Sequence, residues 1–289
     1  MLLRIDSDRV IFSVRMYRDR PGVRVLDRHG RETHFDLGGR FANFRLAPDG
    51  TLLLRHDTGV AIVDPASHFA MRELIETELA HHDASWSVSF FDALVDTQKG
   101  YFARFKLDDV ALSHDPETGP TNAVLMPDRQ RVVVTIHKTA HVAIFDPVAR
   151  TTELLPLLVG QGGASEAVVV GSDFWFICYD RFCCLDLKTG AFRASEVLQP
   201  QFYDAEHRLN TSGFVGVPRF SKSLSNWLLP RPFSGDILIV SGESLTPVSR
   251  IATGGRPYDA VEFEGGSLLI LDYPFDVVRA AHVSDAVSI

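Results

Sequence analysis

The chain has 289 residues, 45% of them hydrophobic, and a formal net charge of -8 at pH 7. This composition is that of a folded globular protein and excludes a disordered chain. The acidic balance argues against a protein that binds nucleic-acid phosphates, which needs a concentrated basic surface. Charges interrupt the N-terminal apolar residues, so we expect no signal peptide, and no apolar run is long enough for a membrane span. We therefore expect a cytoplasmic protein with no nucleic-acid or membrane partner.

A short phrase recurs along the chain: two or three apolar residues, then an aspartate, then a turn. Complete copies end at Asp27, Asp64, Asp108, Asp146 and Asp186, and weaker copies end at Ser241 and Asp285. The copies lie 37 to 55 residues apart. A period of about 40–45 residues with strand-like content is typical of β-propeller blades. We expect each aspartate to end the third strand of its blade and to form part of the turn that follows.

Within the repeats, short β-rich runs alternate with turns that contain Gly, Pro, Asp or Asn. The second repeat predicts strands at 41–47, 51–55, 60–64 and 69–75. The same plan predicts strands at 123–126, 131–136 and 142–145, at 167–170, 173–178 and 182–186, and at 258–263 and 267–271. We predict an all-β fold, a seven-bladed β-propeller of four-stranded antiparallel blades that forms one domain over residues 1–289. Six blades is the alternative, if residues 196–241 do not form a blade of their own.

Two segments resemble repeats of the YVTN/NHL/SMP-30-like group of β-propellers. One is Pro-Thr-Asn-Ala-Val-Leu-Met-Pro-Asp at 120–128, which three valines follow at 132–134, and the other is Gly-Gly-Arg-Pro-Tyr-Asp-Ala-Val at 254–261. In the SMP-30-like and related lactonase propellers, Asn, Asp and Glu side chains hold a metal at the mouth of the central channel. The resemblance thus implies a propeller and draws attention to oxygen-bearing residues at that mouth.

Alignment of the repeats places four such residues in one column, just before the apolar part of a first strand. These are Asn43, Asn122, Glu166 and Asp259. Carboxylate and amide oxygens suit Ca²⁺ or another divalent cation, so the four are candidate metal ligands. The alternative is structural, because Asn and Asp at the start of a strand also satisfy backbone donors of turns.

A second set of polar residues is expected further out on the same face, where second strands end. His56 and His137 occupy equivalent positions two repeats apart and are candidates for a catalytic base or a metal ligand. Asp180, Arg231 and Asp272 are candidate ligand-binding residues. The long connection 198–212 should rise on this face and adds Tyr203, His207 and Arg208 as further candidates, since long loops on a rigid scaffold often carry binding residues. The alternative is an ordinary solvated rim.

The three cysteines, Cys178, Cys183 and Cys184, fall in one predicted hairpin. An adjacent pair of thiols is compatible with redox or soft-metal chemistry. The simpler interpretation treats them as small apolar strand residues in a reducing compartment.

Two functions follow from these features. The first is a monomeric binding module that holds a protein, a peptide or a small ligand on its loop-rich channel-mouth face. The second is a metal-dependent hydrolase or lyase of the lactonase-like propeller type, in which the metal polarises a carbonyl and holds a water molecule. No Gly-rich phosphate loop leads into a helix, and no Gly-x-Ser-x-Gly elbow occurs.

Overall fold

The chain is built from β-strands that pair with their neighbours in sequence. The computed structural model describes residues 2–12, 23–37, 41–46, 50–56, 59–76, 93–96, 102–105, 120–126, 128, 131–136, 141–146, 149, 151–156, 164–178, 181–198, 202–203, 209–210, 215–273 and 278–289. Within these ranges there are 28 strands, 3-10 turns at Pro65–Ser67 and Val283–Asp285, and no α-helix. None of the helical segments described here has the length and apolar character needed to cross a lipid bilayer.

The strands form antiparallel sheets, which we number 1 to 7 in chain order. Sheet 1 contains β1 (Leu2–Arg4), β2 (Arg9–Phe12), β3 (Val23–Asp27) and β4 (Glu32–Phe35), and sheet 2 contains β5 (Phe41–Leu46), β6 (Leu52–His56), β7 (Gly59–Asp64) and β8 (Ala70–Glu76). Sheet 3 contains β9 (Ala93–Asp96) and β10 (Phe102–Phe105), and sheet 4 contains β11 (Pro120–Leu125), β12 (Val132–Ile136), β13 (His141–Asp146) and β14 (Thr151–Pro156). Sheet 5 contains β15 (Ala164–Val170), β16 (Asp173–Cys178), β17 (Arg181–Asp186) and β18 (Phe192–Ala194).

A two-stranded hairpin of β19 (Phe202–Tyr203) and β20 (Leu209–Asn210) separates sheets 5 and 6. Sheet 6 contains β21 (Arg219–Ser221), β22 (Asn226–Arg231), β23 (Asp236–Val240), β24 (Pro247–Ala252) and, at its outer edge, β28 (Val287–Ser288). Sheet 7 contains β25 (Pro257–Glu262), β26 (Ser267–Asp272) and β27 (Val278–His282). The all-β prediction is confirmed, and the boundaries of most predicted strands lie within three residues of the observed boundaries.

Each central strand divides its apolar side chains between two neighbouring sheets, because alternate residues of a strand point to opposite faces. On β16, Phe174 and Phe176 pack against sheet 4, whereas Trp175 and Ile177 pack against sheet 6. The Trp175 ring lies 4.8 Å from that of Trp227 on sheet 6, centroid to centroid. Such aromatic pairs contribute about 0.5–1.5 kcal/mol beyond the area they bury. One sheet thus stabilises two interfaces.

Within the described residues, apolar clusters join several pairs of neighbouring sheets, and sheet 7 packs against sheet 1. Continuous apolar clusters join sheets 4 and 5, 5 and 6, 6 and 7, and 1 and 2. A further cluster joins sheet 7 to sheet 1, with Val261, Phe263 and Leu269 packed against Leu2 and Leu26. These contacts give a propeller-like arrangement in which no sheet buries both faces by itself.

The recurring aspartates have the predicted place and role. Asp27, Asp64, Asp146 and Asp186 each end the third strand of a sheet. The Oδ1 atom of Asp186, for instance, accepts hydrogen bonds from the backbone N–H of Lys188 at 2.7 Å and of Thr189 at 3.0 Å. Asp108 lies outside the described residues. These carboxylates therefore stabilise turns that are remote from the predicted site.

The seventh copy of the phrase departs from this rule. β27 ends at His282, and Asp285 lies three residues further on, in the 3-10 turn. There its Oδ2 accepts the backbone N–H of His282 at 2.9 Å. In the pairing register of the second and third strands, the residues of sheet 7 that match the apolar pair Ile239–Val240 of sheet 6 are Ala280 and Ala281. The sequence phrase at Val283–Asp285 was thus a false match, because a turn with the same residue types follows the strand.

The turn carboxylates predict a pH dependence. The backbone N–H groups of Lys188 and Thr189 hold the pKa of Asp186 below its ordinary value of 3.8. A carboxyl group whose pKa falls on folding stabilises the fold above its unfolded-state pKa and loses that effect as the pH falls through the folded-state pKa. We expect Asp186→Ala to be less stable than the parent at neutral pH, and the difference to shrink below about pH 4. Urea unfolding at a series of pH values measures this, and a difference that grows on acidification contradicts it.

Candidate functional site

The four predicted metal ligands occupy equivalent backbone positions. Asn43, Asn122, Glu166 and Asp259 lie in the first strands of sheets 2, 4, 5 and 7. The residue that follows each of them pairs with the second strand of the same sheet, always at the third position from the end of that strand. These pairs are Phe44 with Leu54, Ala123 with Val134, Ala167 with Phe176 and Ala260 with Ile270. In all four sheets the pairing register shifts within the three residues before that pair: between 41 and 44, 120 and 122, 164 and 167, and 257 and 259. The column inferred from the sequence therefore lies within or directly after a recurring irregularity of the first strand. β-Bulges, which produce such shifts, are enriched beside functional sites.

We call the face where first strands begin and second strands end the mouth face. Asp259 is fully buried there and accepts hydrogen bonds from protein donors on both oxygens. Its Oδ1 accepts from Arg219 Nε at 2.9 Å, and its Oδ2 accepts from Arg219 Nη2 at 2.9 Å and from the backbone N–H of Leu2 at 2.6 Å. Arg219 Nη2 also donates to the carbonyl oxygen of Leu2. Asp259 thus links the inner strands of sheets 6, 7 and 1.

This arrangement bears on the metal prediction. A cation bound to Asp259 would have to displace a guanidinium group that already neutralises its charge. The side chains of Asn43, Asn122 and Glu166 lie outside the described part of the structure. Among the side chains that are described, no three His, Cys, Asp or Glu residues are grouped so that they could hold a metal ion.

The second predicted ring is partly described. His56, Arg231 and Asp272 are the last residues of β6, β22 and β26, as predicted for this ring. The backbone of His56 pairs with that of Phe41, but its side chain lies outside the described residues. His137 and Asp180 also lie outside them. Tyr203 pairs with Leu209 in the hairpin, while His207 and Arg208 lie outside the described residues.

Arg231 is held by a bidentate ion pair. Its Nε and Nη2 atoms donate to the two carboxylate oxygens of Asp236 at 2.8 and 2.6 Å. Its Nη1 donates to the carbonyl oxygen of Leu198 at 2.7 Å. The Asp236 side chain is only 4% exposed and that of Arg231 only 16%. Planar, two-point pairs of this kind fix side-chain geometry, so Arg231 ties the connection after sheet 5 to the turn of sheet 6.

Asp272 forms a second ion pair, with Arg279 on the next strand. Its side chain is 6% exposed, and among the described residues its Oδ1 atom has no hydrogen-bond partner. A Cβ atom added to Gly255 would lie 2.2 Å from Asp272 Oδ2, so the 253–256 connection passes directly over this pair. Like Arg231, Asp272 is occupied by a partner within the protein.

Two aromatic residues that sequence reasoning missed lie beside these ion pairs. The rings of Phe233 and Tyr273 are half-buried, and their centroids are 6.3 Å apart. Phe233 lies in the turn after Arg231, and Tyr273 directly follows Asp272. The backbone N–H of Tyr273 donates to the carbonyl oxygen of Arg256 at 2.7 Å. The turns of sheets 6 and 7 therefore meet at an aromatic pair, with the exposed Arg256 next to it.

The cysteines behave as apolar core residues. All three are buried, with Cys178 and Cys183 in the cluster between sheets 4 and 5 and Cys184 in that between sheets 5 and 6. A hydrogen bond to Cys178 and burial raise the pKa of the Cys183 thiol well above its ordinary value. Burial raises the pKa of Cys184 to about 11. Since the thiolate is the nucleophile, these groups are poorly suited to redox or covalent chemistry.

We expect the folded protein to resist thiol alkylation at pH 7.5. Iodoacetamide should modify the three cysteines only after denaturation, because all three are buried and the pKa values of Cys183 and Cys184 are raised. Mass spectrometry of the native and urea-denatured protein measures the difference. Native labelling at the rate of an exposed cysteine would contradict this expectation.

Comparison of the sequence with protein-family models and with curated proteins gives no match. Solved structures match along nearly the whole chain. A candidate 6-phosphogluconolactonase from Bacteroides uniformis is 11% identical over 98% of this chain and 97% of its own, with a TM-score of 0.66. A catalytically inactive virginiamycin B lyase from Staphylococcus aureus is 9% identical over 100% and 87%, with a TM-score of 0.52. A chain of the mitotic checkpoint complex is 12% identical over 98% and 86%, with a TM-score of 0.65. At such identities the likeness shows the propeller-like fold alone.

Proposed function

We propose that this chain is a single seven-bladed propeller that acts as a binding module and holds a protein, a peptide or a small ligand on its mouth face. One observation carries the proposal. The three described charged candidates on this face, Asp259, Arg231 and Asp272, are each paired with an oppositely charged side chain. Because these charged groups are already engaged in ion pairs, they are better suited to hold the turns in place than to act as acids, bases or nucleophiles.

The aromatic pair supplies a contact surface beside these ion pairs. Half-buried Phe233 and Tyr273 lie in two turns that ion pairs fix in place. Aromatic residues and arginine are enriched at protein interfaces and supply much of their binding energy. Exposed Arg256, held through its backbone, adds a positive charge to this surface. The similarity to a chain of the mitotic checkpoint complex supports a fold that works within protein assemblies.

The test compares variants at the two opposite ends of the strands. Tyr273→Ala and Arg256→Ala change the mouth face, whereas Lys188→Ala changes an exposed turn at the other end of sheet 5. We expect quantitative affinity purification to lose the same recovered partners with both mouth-face variants and to keep them with Lys188→Ala. Thermal unfolding first establishes that all three proteins are folded. Equal recovery of every partner by all four proteins would show that this face is not the binding surface.

A metal-dependent hydrolase or lyase is the second proposal. The shared register shift in the first strands that carry Asn43, Asn122, Glu166 and Asp259 supports it, as does the fold-level likeness to a candidate 6-phosphogluconolactonase and to a virginiamycin B lyase. In this proposal a Ca²⁺ or other divalent ion sits at the column, and His56 or His137 acts as base. Asp259 does not fit as a ligand while it is paired with Arg219, so the proposal requires that pair to open.

Elemental analysis of the purified protein and melting curves with and without Ca²⁺ test the metal. A ligand that binds only the folded state raises the melting temperature. A stoichiometric divalent ion would support the second proposal over the first. Metal-free protein whose melting temperature Ca²⁺ does not change would rule it out.

A further inference from the structure

Sheet 7 is narrower than the sheets beside it. Within the described residues it has three strands, whereas sheet 6 has five and sheet 1 has four. Adjacent strands in a sheet lie about 4.8 Å apart. The outer edge of sheet 7 is therefore set back from both neighbours by at least the width of one strand, which leaves a slot along β27.

β27 is the third strand of sheet 7, but its residues are exposed to the degree expected of an outer strand. In sheet 6, all five residues of the third strand β23 are buried. In sheet 7, Arg279 and Ala280 of β27 are exposed and the other three residues are only half-buried. This contrast indicates that the described residues leave the position of a fourth strand beside β27 open.

The hydrogen-bond register shows which backbone groups face this slot. Ser267 pairs with His282, and the backbone N–H of Val283 donates to the carbonyl oxygen of Gly266. In an antiparallel ladder, the groups of Arg279 and Ala281 then face β26, and those of Val278, Ala280 and His282 face outward. The N–H of His282 is used by Asp285. Among the described residues no strand pairs with this side of β27, so the outward groups of Val278 and Ala280 form the edge of the sheet.

Two of the five residues along this edge, Ala280 and Ala281, have small side chains. The positions that match Ala280 in the pairing register are Ile62, Ile144 and Ile239 in sheets 2, 4 and 6, and Cys184 in sheet 5. Because Ala280 is smaller than the matching isoleucines, large apolar side chains of a strand added beside β27 would have room next to it. Open edges of this kind attract added strands, and sheet 6 shows this within the molecule, because β28 covers the edge of β24.

We propose that the slot beside β27 binds an extended segment of a partner protein, which adds antiparallel to sheet 7 and carries bulky apolar side chains at alternate positions. Its backbone would pair with Val278 and Ala280, and its apolar side chains would fill the space above Ala280. This is strand addition, in which main-chain hydrogen bonds provide affinity and side-chain pockets provide selectivity. The slot lies on the outer rim, so this proposal does not depend on the function of the mouth face.

The test uses a small panel of blocked strand peptides that carry Val, Ile or Phe at alternate positions and Thr or Lys between them. Hydrogen exchange of the Val278 and Ala280 amides is followed by NMR in the full chain. We expect fast exchange in the free protein and about tenfold slower exchange with at least one peptide at saturation. A peptide of the same composition with N-methylated alternate amides should give no protection.

A proline substitution provides the matched pair of variants. Ala280→Pro removes an outward-facing donor and leaves the β26–β27 hydrogen bonds intact, so it should abolish peptide binding. The register of sheet 1 also turns the N–H of His34 on β4 away from β3, so His34→Pro makes the same change at another outer strand and should bind peptide like the parent. Three results would overturn the proposal: slow exchange of Ala280 without peptide, no protection by any peptide, or equal binding by Ala280→Pro.

Discussion

Replacing Asp259 with asparagine is expected to lower the free energy of unfolding by about 3 kcal/mol. The carboxylate is fully buried and neutralises Arg219, so its loss leaves a partly buried guanidinium without a counter-charge. The new amide would also direct N–H groups toward donors on Arg219 and Leu2. Urea unfolding measures the change. The effect should be large because one residue holds together the inner strands of three sheets.

Two controls separate the ion pair from a general loss of charge. Glu196→Gln removes an exposed carboxylate and should change stability by less than about 0.5 kcal/mol. The double variant Asp259→Leu with Arg219→Leu removes both charges and should be more stable than Asp259→Asn alone, since replacing a whole buried pair costs less than breaking it. If Asp259→Asn unfolds at the same urea concentration as the parent, the hydrogen bonds of Asp259 to sheets 6 and 1 do not stabilise the fold.

Gly216→Ala is expected to destabilise the protein by about 3 kcal/mol or more, through overpacking. An added Cβ atom would lie 1.9 Å from the carbonyl oxygen of Tyr258, and backbone atoms cannot move aside as a flexible side chain can. The contact is fixed on both sides, because Gly216 N–H donates to Pro230 O and Val217 N–H donates to Tyr258 O. The substitution would therefore push sheets 6 and 7 apart beside Asp259.

Gly190→Ala is the matched control for Gly216→Ala. Gly190 has φ +73 and nothing within 4 Å of an added Cβ, so alanine there should cost only the left-handed backbone penalty of about 1–2 kcal/mol. Thermal or urea unfolding of both variants gives the comparison. If the two substitutions cost the same, the close approach of Gly216 to Tyr258 is not an important constraint.

Much of the local structure could be predicted because its causes are local. The aspartate of the repeated phrase makes hydrogen bonds to residues two to four positions away, as Asp27 does with the N–H groups of His29 and Arg31. Strand boundaries follow the same turns. The equivalence of Asn43, Asn122, Glu166 and Asp259 could also be inferred, because the repeat sets the pairing register of each first strand.

The partners of the charged residues could not be predicted. Asp259 pairs with Arg219, 40 positions away, and with the backbone of Leu2, 257 positions away. Nothing in a single sequence selects Arg219 over other arginines, and so Asp259 looked like a metal ligand. The same holds for the Phe233–Tyr273 pair, which depends on how two sheets pack, and for β28, which pairs with sheet 6 although it follows sheet 7 in the chain.

The contact between Leu2 and Asp259 also has a consequence for folding kinetics. Most pairings in this protein join consecutive strands and can form early, whereas this contact must bring together residues 257 positions apart. The entropy of closing so long a loop is lost before the contact stabilises anything, and contacts of high sequence separation fold slowly. We expect stopped-flow refolding to show an open ring with formed sheets first, and closure at Asp259 as the slower step.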